Sequence, residues 1–409
     1  MCATKTEDDL NLWIEDFLKK RRYSKYELEL TGNSSKADGY LGEVTFVKVL
    51  TGIGREEEKI YNLVVKSAKK SAELRRQTPI KDVFEREMFM YSKVFPAFKA
   101  FQQEHHLERP FMKFAKCYSV FNENQREAII LQNLKYLEFN VHDRKTSQDL
   151  EHVLLTFSNY GKLHALSLAM KKQKPKIYDN LTRNMTDLLA KFIVQANMLD
   201  VMSELFRDCL DLIKNDADKS VYKKLEYFKE REELEKALHK IPNPSDGFSV
   251  ILHGDCWNNN MMYYYNENSN GTPQDIMFLD FQLSSVASPI YDLSYYLYAV
   301  ADGEVLKHFD LILETYLTSL NGFLDELQET SYNITMEDLK RHWREYGKFG
   351  LAMCPFILKI ELSEEEEVVD FAESAEAGNI AATLTTELKH REVFNTRLRA
   401  VFKHYASLL

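Results

Sequence analysis

The residues best placed by type and spacing to do chemistry lie between Ile251 and Asn260, which read I-L-H-G-D-C-W-N-N-N. An apolar strand ends in His253-Gly254-Asp255, and Asn260 stands five positions past the Asp. Twenty-five residues after Asp255 a second apolar strand, Ile276–Leu279, ends in Asp280-Phe281-Gln282. Phosphoryl transfer to an alcohol needs a carboxylate beside the nucleophilic oxygen, to orient it and take its proton. It also needs oxygen ligands for magnesium, which bridges and neutralises the phosphates of ATP. Asp255 suits the first task as catalytic base. Asn260 and Asp280 suit the second as metal ligands, because a rigid strand-loop-strand can bring both side chains to one face. An H-x-D triplet alone says little, since an Asp after a strand is usually a turn former. The following Asn and the second strand-Asp-Phe raise it above that background. Zinc ligation by His253, Asp255 and Cys256 is poorly supported, because adjacent residues do not suit a tetrahedron and no second His/Cys cluster completes it.

A nucleotide held against this group needs a cation on its phosphates and a carboxylate to hold that cation. Lys66 ends the apolar strand Leu63-Val64-Val65, and Glu87 sits on the following helix. Taken alone, both would read as solvated surface charges; beside Asp255 and Asp280 they read as a phosphate contact and its partner. Glu85 competes for the pairing but points to another face of the helix. Gly39 and Gly42, in the turn before the strand Val44–Leu50, could lay backbone N–H groups over phosphates, although paired glycines are common in turns. No G-x-x-x-x-G-K-[ST] occurs, which argues against a P-loop. Between the two halves of the chain, Ile129–Leu134 forms a natural hinge, where backbone groups at Gln132 and Leu134 could meet an adenine edge.

The elements that must position these residues change in character along the chain. Leu10, Trp13, Ile14, Phe17 and Leu18 mark an amphipathic helix. Strands follow at Tyr40–Leu50 and Ile60–Lys66, joined by a hairpin connection at Thr51–Glu58. Phe84, Met88, Tyr91 and Phe95 mark a helix that stops at Pro96, and another strand pair covers Phe111–Phe121 and Glu127–Leu134. From there the patterns are mostly helical. One long helix runs through Leu150, Leu154, Phe157, Gly161, His164 and Leu168, and others cover Met185–Lys214 and Val221–Ile241. A strand at Phe248–Leu252 and a compact β segment at Met261–Asp280 interrupt the helices. The expected division is an N-terminal nucleotide-binding lobe, residues 1–132, and a C-terminal catalytic and substrate-binding lobe, residues 133–409.

Composition narrows the function classes. Among 409 residues, 53 Lys and Arg against 63 Asp and Glu give a formal charge of −10, which argues against nucleic acid as the main partner. A bound nucleotide is compatible with that charge, because one local cation and a metal can hold it. Five scattered cysteines without a C-x-x-C suggest neither a disulfide framework nor a zinc site. No signal peptide and no run of about 18 apolar residues is found, so no membrane span is expected and the cytoplasm is the default compartment. The run Glu364–Glu367 reads as a solvated helix start.

The pattern His253-x-Asp255-(x)4-Asn260 followed by Asp280-Phe281 resembles the signature of the aminoglycoside phosphotransferase/choline kinase group. The longer string from His253 to Met262 resembles the insect ecdysteroid-kinase-like (CHK-kinase-like) family. So do Phe84-x-x-Glu87-x-x-x-Tyr91, Leu163-His164-Ala165-Leu166-Ser167-Leu168 and Ser288-Pro289-x-Tyr291-Asp292-Leu293, over roughly residues 35 to 360. The resemblance implies an α+β, two-lobed protein-kinase-like fold with a β-rich N-terminal lobe and a mainly helical C-terminal lobe. It implies ATP and Mg2+, and a small-molecule alcohol as acceptor: an ecdysteroid, another lipophilic alcohol or a xenobiotic. It also implies that His253 supports the catalytic loop by hydrogen bonding. Asp292 reads both as a helix N-cap and, by analogy, as a brace for that loop. Relatives often carry an acidic pair where this chain has Gln132-Asn133. Protein kinases usually carry Lys two positions after the catalytic Asp and a long activation segment; here Trp257 stands there, and Ser288-Pro289 follows Asp280 within a dozen residues. A small acceptor is favoured over a protein. The competing readings are a catalytically silent protein of the same fold and a choline-type kinase.

Overall fold

The computed structural model describes residues 2–33, 41–53, 58–214, 219–241, 247–368, 370–378 and 380–409. The predicted apolar stripe of Leu10, Trp13, Ile14, Phe17 and Leu18 forms the buried face of α1 (Cys2–Lys19). That face packs on a five-stranded antiparallel sheet of β1 (Tyr26–Asn33), β2 (Gly42–Thr51), β3 (Lys59–Ala68), β4 (Cys117–Phe121) and β5 (Ala128–Gln132), in the order β1-β2-β3-β5-β4. Strands send alternate side chains to opposite faces. Val47, Val49, Leu63, Val65, Ala128 and Ile130 turn towards α1. Val44, Phe46, Val64, Lys66 and Leu131 are thereby left on the other face, which lines a cleft. Each large side chain buried against α1 contributes about 1.5–3 kcal/mol, so the apolar alternation of β3 is what commits Lys66 to the cleft side. The β2–β3 ladder runs from Gly42 opposite Ala68 to Thr51 opposite Lys59; the expected hairpin connection falls partly on residues 54–57, outside the described residues.

The helix expected to stop at Pro96 does not. α2 (Ile80–Phe89) gives way to a π turn, Met90–Val94, and a further helix, Phe95–Glu104, begins with Pro96 in its first turn. Proline lacks an N–H, but first-turn residues have no intrahelical acceptor to reach, so proline starts a helix as readily as it ends one.

After β6 (Phe139–Val141) the chain is mainly helical. α3 (Leu150–Gln173) carries Gly161, where an added Cβ would lie 2.8 Å from the Tyr316 carbonyl of the helix packed against it. The pattern Met185–Lys214 is not one helix but two, α4 (Leu188–Gln195) and α5 (Leu199–Lys214). Asn197 between them adopts a left-handed conformation, φ 51°, which ends the first helix. The pattern Val221–Ile241 is likewise broken, by a 3-10 turn at Glu226–Lys229. β7 (Val250–Ile251) is shorter than the expected strand and pairs with β10 (Val286–Ala287), while β8 (Met261–Tyr264) lies between β6 and β9 (Asp275–Phe278). The remaining helices that matter below are α6 (Ile290–Val300), α7 (Phe309–Glu326), α8 (Lys348–Leu362), α9 (Phe371–Glu376) and α10 (Arg391–Leu408). The acidic run forms a 3-10 turn, Glu365–Glu367, rather than an α-helix start. The architecture is α+β in two lobes, the first built on the sheet and the second mainly helical. Among the described residues no helix is long and apolar enough to cross a membrane, and Cys117, Cys209, Cys256 and Cys354 are free thiols.

α10 is tied to the helices around it by a chain of hydrogen bonds. The Trp343 indole, a donor only, donates to the Tyr298 hydroxyl at 3.1 Å, and that hydroxyl bonds His404 Nδ1, also at 3.1 Å. Burial pushes the His404 pKa down to about 4 from 6.5. A histidine neutral in the fold and basic when unfolded stabilises the protein above pH 6.5 and loses that contribution as pH falls towards 4. The chain should lose about 3 kcal/mol of unfolding free energy through this window, and His404→Gln should flatten the slope. Urea unfolding at stepped pH measures it; equal slopes in both proteins would rule His404 out.

Candidate active site

The loop after β7 is held from behind by one carboxylate. Asp292 Oδ2 accepts the His253 N–H at 2.7 Å and Oδ1 accepts the Gly254 N–H at 3.0 Å. His164 Nε2 lies 3.3 Å from Oδ2, and its other ring nitrogen meets the Tyr316 hydroxyl at 3.1 Å. Burial alone would raise the Asp292 pKa; the hydrogen bond and charge of His164, with His253 and Lys240, bring it below the usual carboxylate range. The N-cap expectation is corrected, because α6 is capped at Pro289 without a side-chain bond and the Asp292 carboxylate serves another segment. The segments around His164 and Asp292, far apart in sequence, meet at this brace. Gly254 adopts φ +89°, and a Cβ there would come within 2.2 Å of the Leu283 carbonyl oxygen.

His253 ties this loop to the second one. Its Nε2 donates to the Leu279 carbonyl at 2.7 Å, and its Nδ1 accepts the Asp255 N–H at 3.2 Å. Burial lowers its pKa, so the ring is neutral. With one nitrogen protonated and the other engaged, no lone pair is left for a zinc ion. The Leu279 N–H also donates to the Asn260 carbonyl at 2.8 Å, which brings Asn260 and Asp280 to the same cleft.

That cleft has a volume of about 490 Å3 and is bordered by Gly42, Lys66, Glu87, Asp255, Asn260 and Asp280. The Lys66 ammonium lies 2.7 Å from Glu87 Oε2 and 2.8 Å from Asp280 Oδ1. The first contact is an aligned hydrogen bond. The second is an ion pair lacking that alignment. Burial works to lower the Lys66 pKa, but the charges of Asp280 and Glu87 outweigh it and raise the pKa. Glu87 is fully buried and pushed up to about 7, by burial first and then by Asp280 and Asp255, against the pull of Lys66. Glu85 lies on the outer side, 3.3 Å from the Asn122 amide.

Asp255 Oδ2 accepts the Asn260 side-chain amide at 2.8 Å, and the same amide donates to the Asp255 carbonyl at 3.0 Å. The amide oxygen of Asn260 is thus the atom that remains for a cation. Burial and the Asp280 charge raise the Asp255 pKa to about 6, against Lys240, Asn260 and Lys66. Asp280 itself sits at φ 60°, a left-handed conformation that Asp tolerates better than most residues. Among the described residues no three His, Cys, Asp or Glu side chains gather into a complete metal cage. The oxygens of Asp280 and Asn260 nevertheless suit magnesium, which uses few protein ligands and completes its shell from phosphates and water.

Gln132 and Leu134 border the cleft at the expected hinge, but the Gln132 N–H already donates to Lys116 at 2.8 Å and the Asn133 N–H to Asn62 at 3.0 Å. The next amide is Leu134, at the start of a 3-10 turn, Leu134–Leu137. Gly39 lies outside the described residues. Sequence reasoning missed Tyr295, whose hydroxyl is 3.3 Å from Asp255 Oδ1; its spacing of three from Asp292 on α6 was the available signal. It missed Lys240, whose ammonium donates to the Gly254 carbonyl at 2.9 Å and for which no motif exists. It also missed Arg86, one residue before Glu87, which donates to the carbonyls of Asn184 and Ser284 in the helical lobe and is pulled down to about 10 by burial.

A sheet-based lobe and a mainly helical lobe meet at this constellation. The ecdysteroid kinase-like family model matches residues 36–329, and the chain belongs to that family. Among curated proteins no relative matches. Among solved structures, the GDP complex of a point mutant of aminoglycoside 2'-phosphotransferase-IIIa aligns at 13% identity with TM-score 0.40, covering 98% of each chain. The GDP complex of the wild-type enzyme aligns at 11% identity with TM-score 0.35, covering 98% of this chain and 99% of that one. Likeness at this level bears on neither the site nor the acceptor.

The brace is testable. Asp292→Asn places an amide donor against backbone donors in a buried setting, which should cost about 3 kcal/mol of stability. It should also lower transfer activity at temperatures where the variant remains folded. Chemical unfolding checks the first and a rate assay the second; a variant as stable and active as the parent would remove the brace.

Proposed function

We propose that the protein transfers the γ-phosphoryl group of ATP, with magnesium, to the hydroxyl of a small lipophilic alcohol, ecdysteroids and xenobiotic alcohols included. The observation that carries this reading is the meeting, in one cleft, of the Lys66–Glu87–Asp280 group with the Asp255–Asn260 pair. On this reading residues 1–132 are the nucleotide lobe and 133–409 the catalytic and acceptor lobe. Lys66 presents its ammonium to the phosphates, held in place by Glu87. The N–H groups near Gly42 cover them, and the Leu134 amide meets the adenine edge. Asp280 and Asn260 would hold the metal through their oxygens. Magnesium, when bound, supplies charge neutralisation on the transferring group. Asp255 orients the acceptor hydroxyl and takes its proton, at a pKa of about 6 that leaves it ionised yet basic near neutrality. A smaller apolar cavity sharing Asp255 and Trp257 with the cleft is the acceptor site. A silent protein of this fold would be free to lose Lys66, Asp255, Asn260 or Asp280, and all four are present.

Incubation with ATP, magnesium and a panel of steroid, phenolic and choline-like alcohols, read by mass spectrometry, tests the assignment. One acceptor class should gain a phosphoryl group. Asp255→Ala should cut the rate by about 10²–10⁴-fold with the fold intact; retained turnover would remove Asp255 as base. Asp280→Ala should weaken magnesium-dependent ATP binding roughly ten- to a hundredfold, the worth of one charge-assisted contact. Calorimetry with and without magnesium measures this, and an unchanged metal dependence would point to another ligand set.

A further inference from the structure

The apolar cavity behind Asp255 measures about 100 Å3, well below the roughly 300–1,000 Å3 of sites that hold drug-sized ligands. Apart from Asp255 and Gln282, its border among the described residues is apolar or aromatic, which suits an acceptor with a hydrocarbon body and a hydroxyl at the Asp255 end. Met202 of α5 and Met353 of α8 are flexible parts of its wall. The wall residues from Met353 onwards, Phe371 among them, lie beyond the residues that the family model matches. Phe371, at the start of α9, lies parallel to Phe192 of α4, with ring centroids 6.4 Å and planes 10° apart.

α9 reaches back to the sheet lobe. Asp370 caps it, accepting the Ala372 N–H at 2.7 Å, and Asp370 Oδ2 also lies 2.5 Å from the Lys69 ammonium. Lys69 directly follows β3, and its N–H donates to the carbonyl of Leu41, which borders both the cleft and the apolar cavity. The Gln77 amide donates to the Ala375 carbonyl at 2.9 Å. The residue that narrows the cavity therefore hangs on an ion pair between lobes, 10% and 19% exposed on its two sides. Both partners are largely buried, so the pair fastens α9 firmly, and removing one of them should loosen the hold on Phe371.

We propose that Phe371, held over the cavity by the Lys69–Asp370 pair, sets the size of alcohol that reaches Asp255. With α9 in place the cavity admits a single ring; with α9 displaced it admits a polycyclic alcohol. This rests on the cavity being the acceptor site, so the test separates occupancy from turnover.

N-phenyl-1-naphthylamine is neutral, has three rings and carries no hydroxyl, so it reports the cavity without being an acceptor. In the full chain, Phe371→Ala should bind the dye at least about tenfold more tightly than the parent, and Asp370→Asn severalfold, as expected when a closed state is depopulated. Adding Met202→Trp to Phe371→Ala should return dye affinity to the parental value, and ATP affinity should stay within about twofold throughout. Dye binding unchanged in both single variants, or surviving Met202→Trp, overturns the proposal. In transfer assays Phe371→Ala should move kcat/KM about tenfold from benzyl alcohol towards a hydroxysteroid; an unchanged ratio also overturns it. Absence of transfer to any alcohol by the parent would count against the kinase reading, while the dye affinities would still decide whether Phe371 gates the cavity.

Discussion

The cleft is organised by the difficulty of keeping carboxylates charged away from water. Glu87, Asp255 and Asp280 border it, and the positive charges set against them are Lys66 inside the cleft and Lys240 behind the loop. An unpaired buried charge costs several kcal/mol, whereas a paired and hydrogen-bonded one can be tolerated. Each acid here is held by a specific partner: Glu87 by Lys66, Asp255 by Asn260 and Tyr295, Asp280 by Lys66 again. The remaining imbalance appears as the raised pKa values of Glu87 and Asp255, each driven first by burial and then by neighbouring acids. Oxygen atoms of Asp280 and Asn260 face the side where a cation could relieve it.

Such a balance needs fixed distances, and the fold supplies them from outside the cleft. Asp292 clamps two consecutive amides of the loop before Asp255, and His164 and Tyr316 hold Asp292 in turn. His253, neutral and with both nitrogens engaged, fixes that loop relative to Leu279 and so to Asp280. Arg86 performs the matching task for Glu87 by fastening α2 to backbone carbonyls of the helical lobe. A site whose supporting shell is built from buried backbone contacts keeps its geometry without bound ligand.

Much of this was legible in residues. The alternation Leu63, Val65 against Val64, Lys66 turns the lysine to the cleft, because period two is a property of any strand. The spacing of Leu10 to Leu18 foretells the packed face of α1 for the equivalent reason at the helical period. Pro96 misleads, because one residue type both starts and stops helices and only the neighbouring turn decides which. The pattern Met185–Lys214 hides a break, because Asn197 costs little in a left-handed turn and leaves the apolar periodicity on either side intact. Asp292 shows the limit of local position. Its place in the first turn of a helix suggests a cap, and only the motif resemblance points to the loop, some forty residues away, whose amides its carboxylate accepts.

The sequence by itself determined which side chains could do chemistry, which face of each strand and helix is apolar, and the family to which the chain belongs. These follow from local periodicity and from short motifs whose members are near one another along the chain. Only the tertiary structure decided that Lys240 stands behind Gly254, that Tyr295 meets Asp255, and that Phe371 lies over an apolar cavity more than a hundred positions after that aspartate. These contacts join segments with no periodic relation, so they exist only once burial of the apolar faces has brought the segments together.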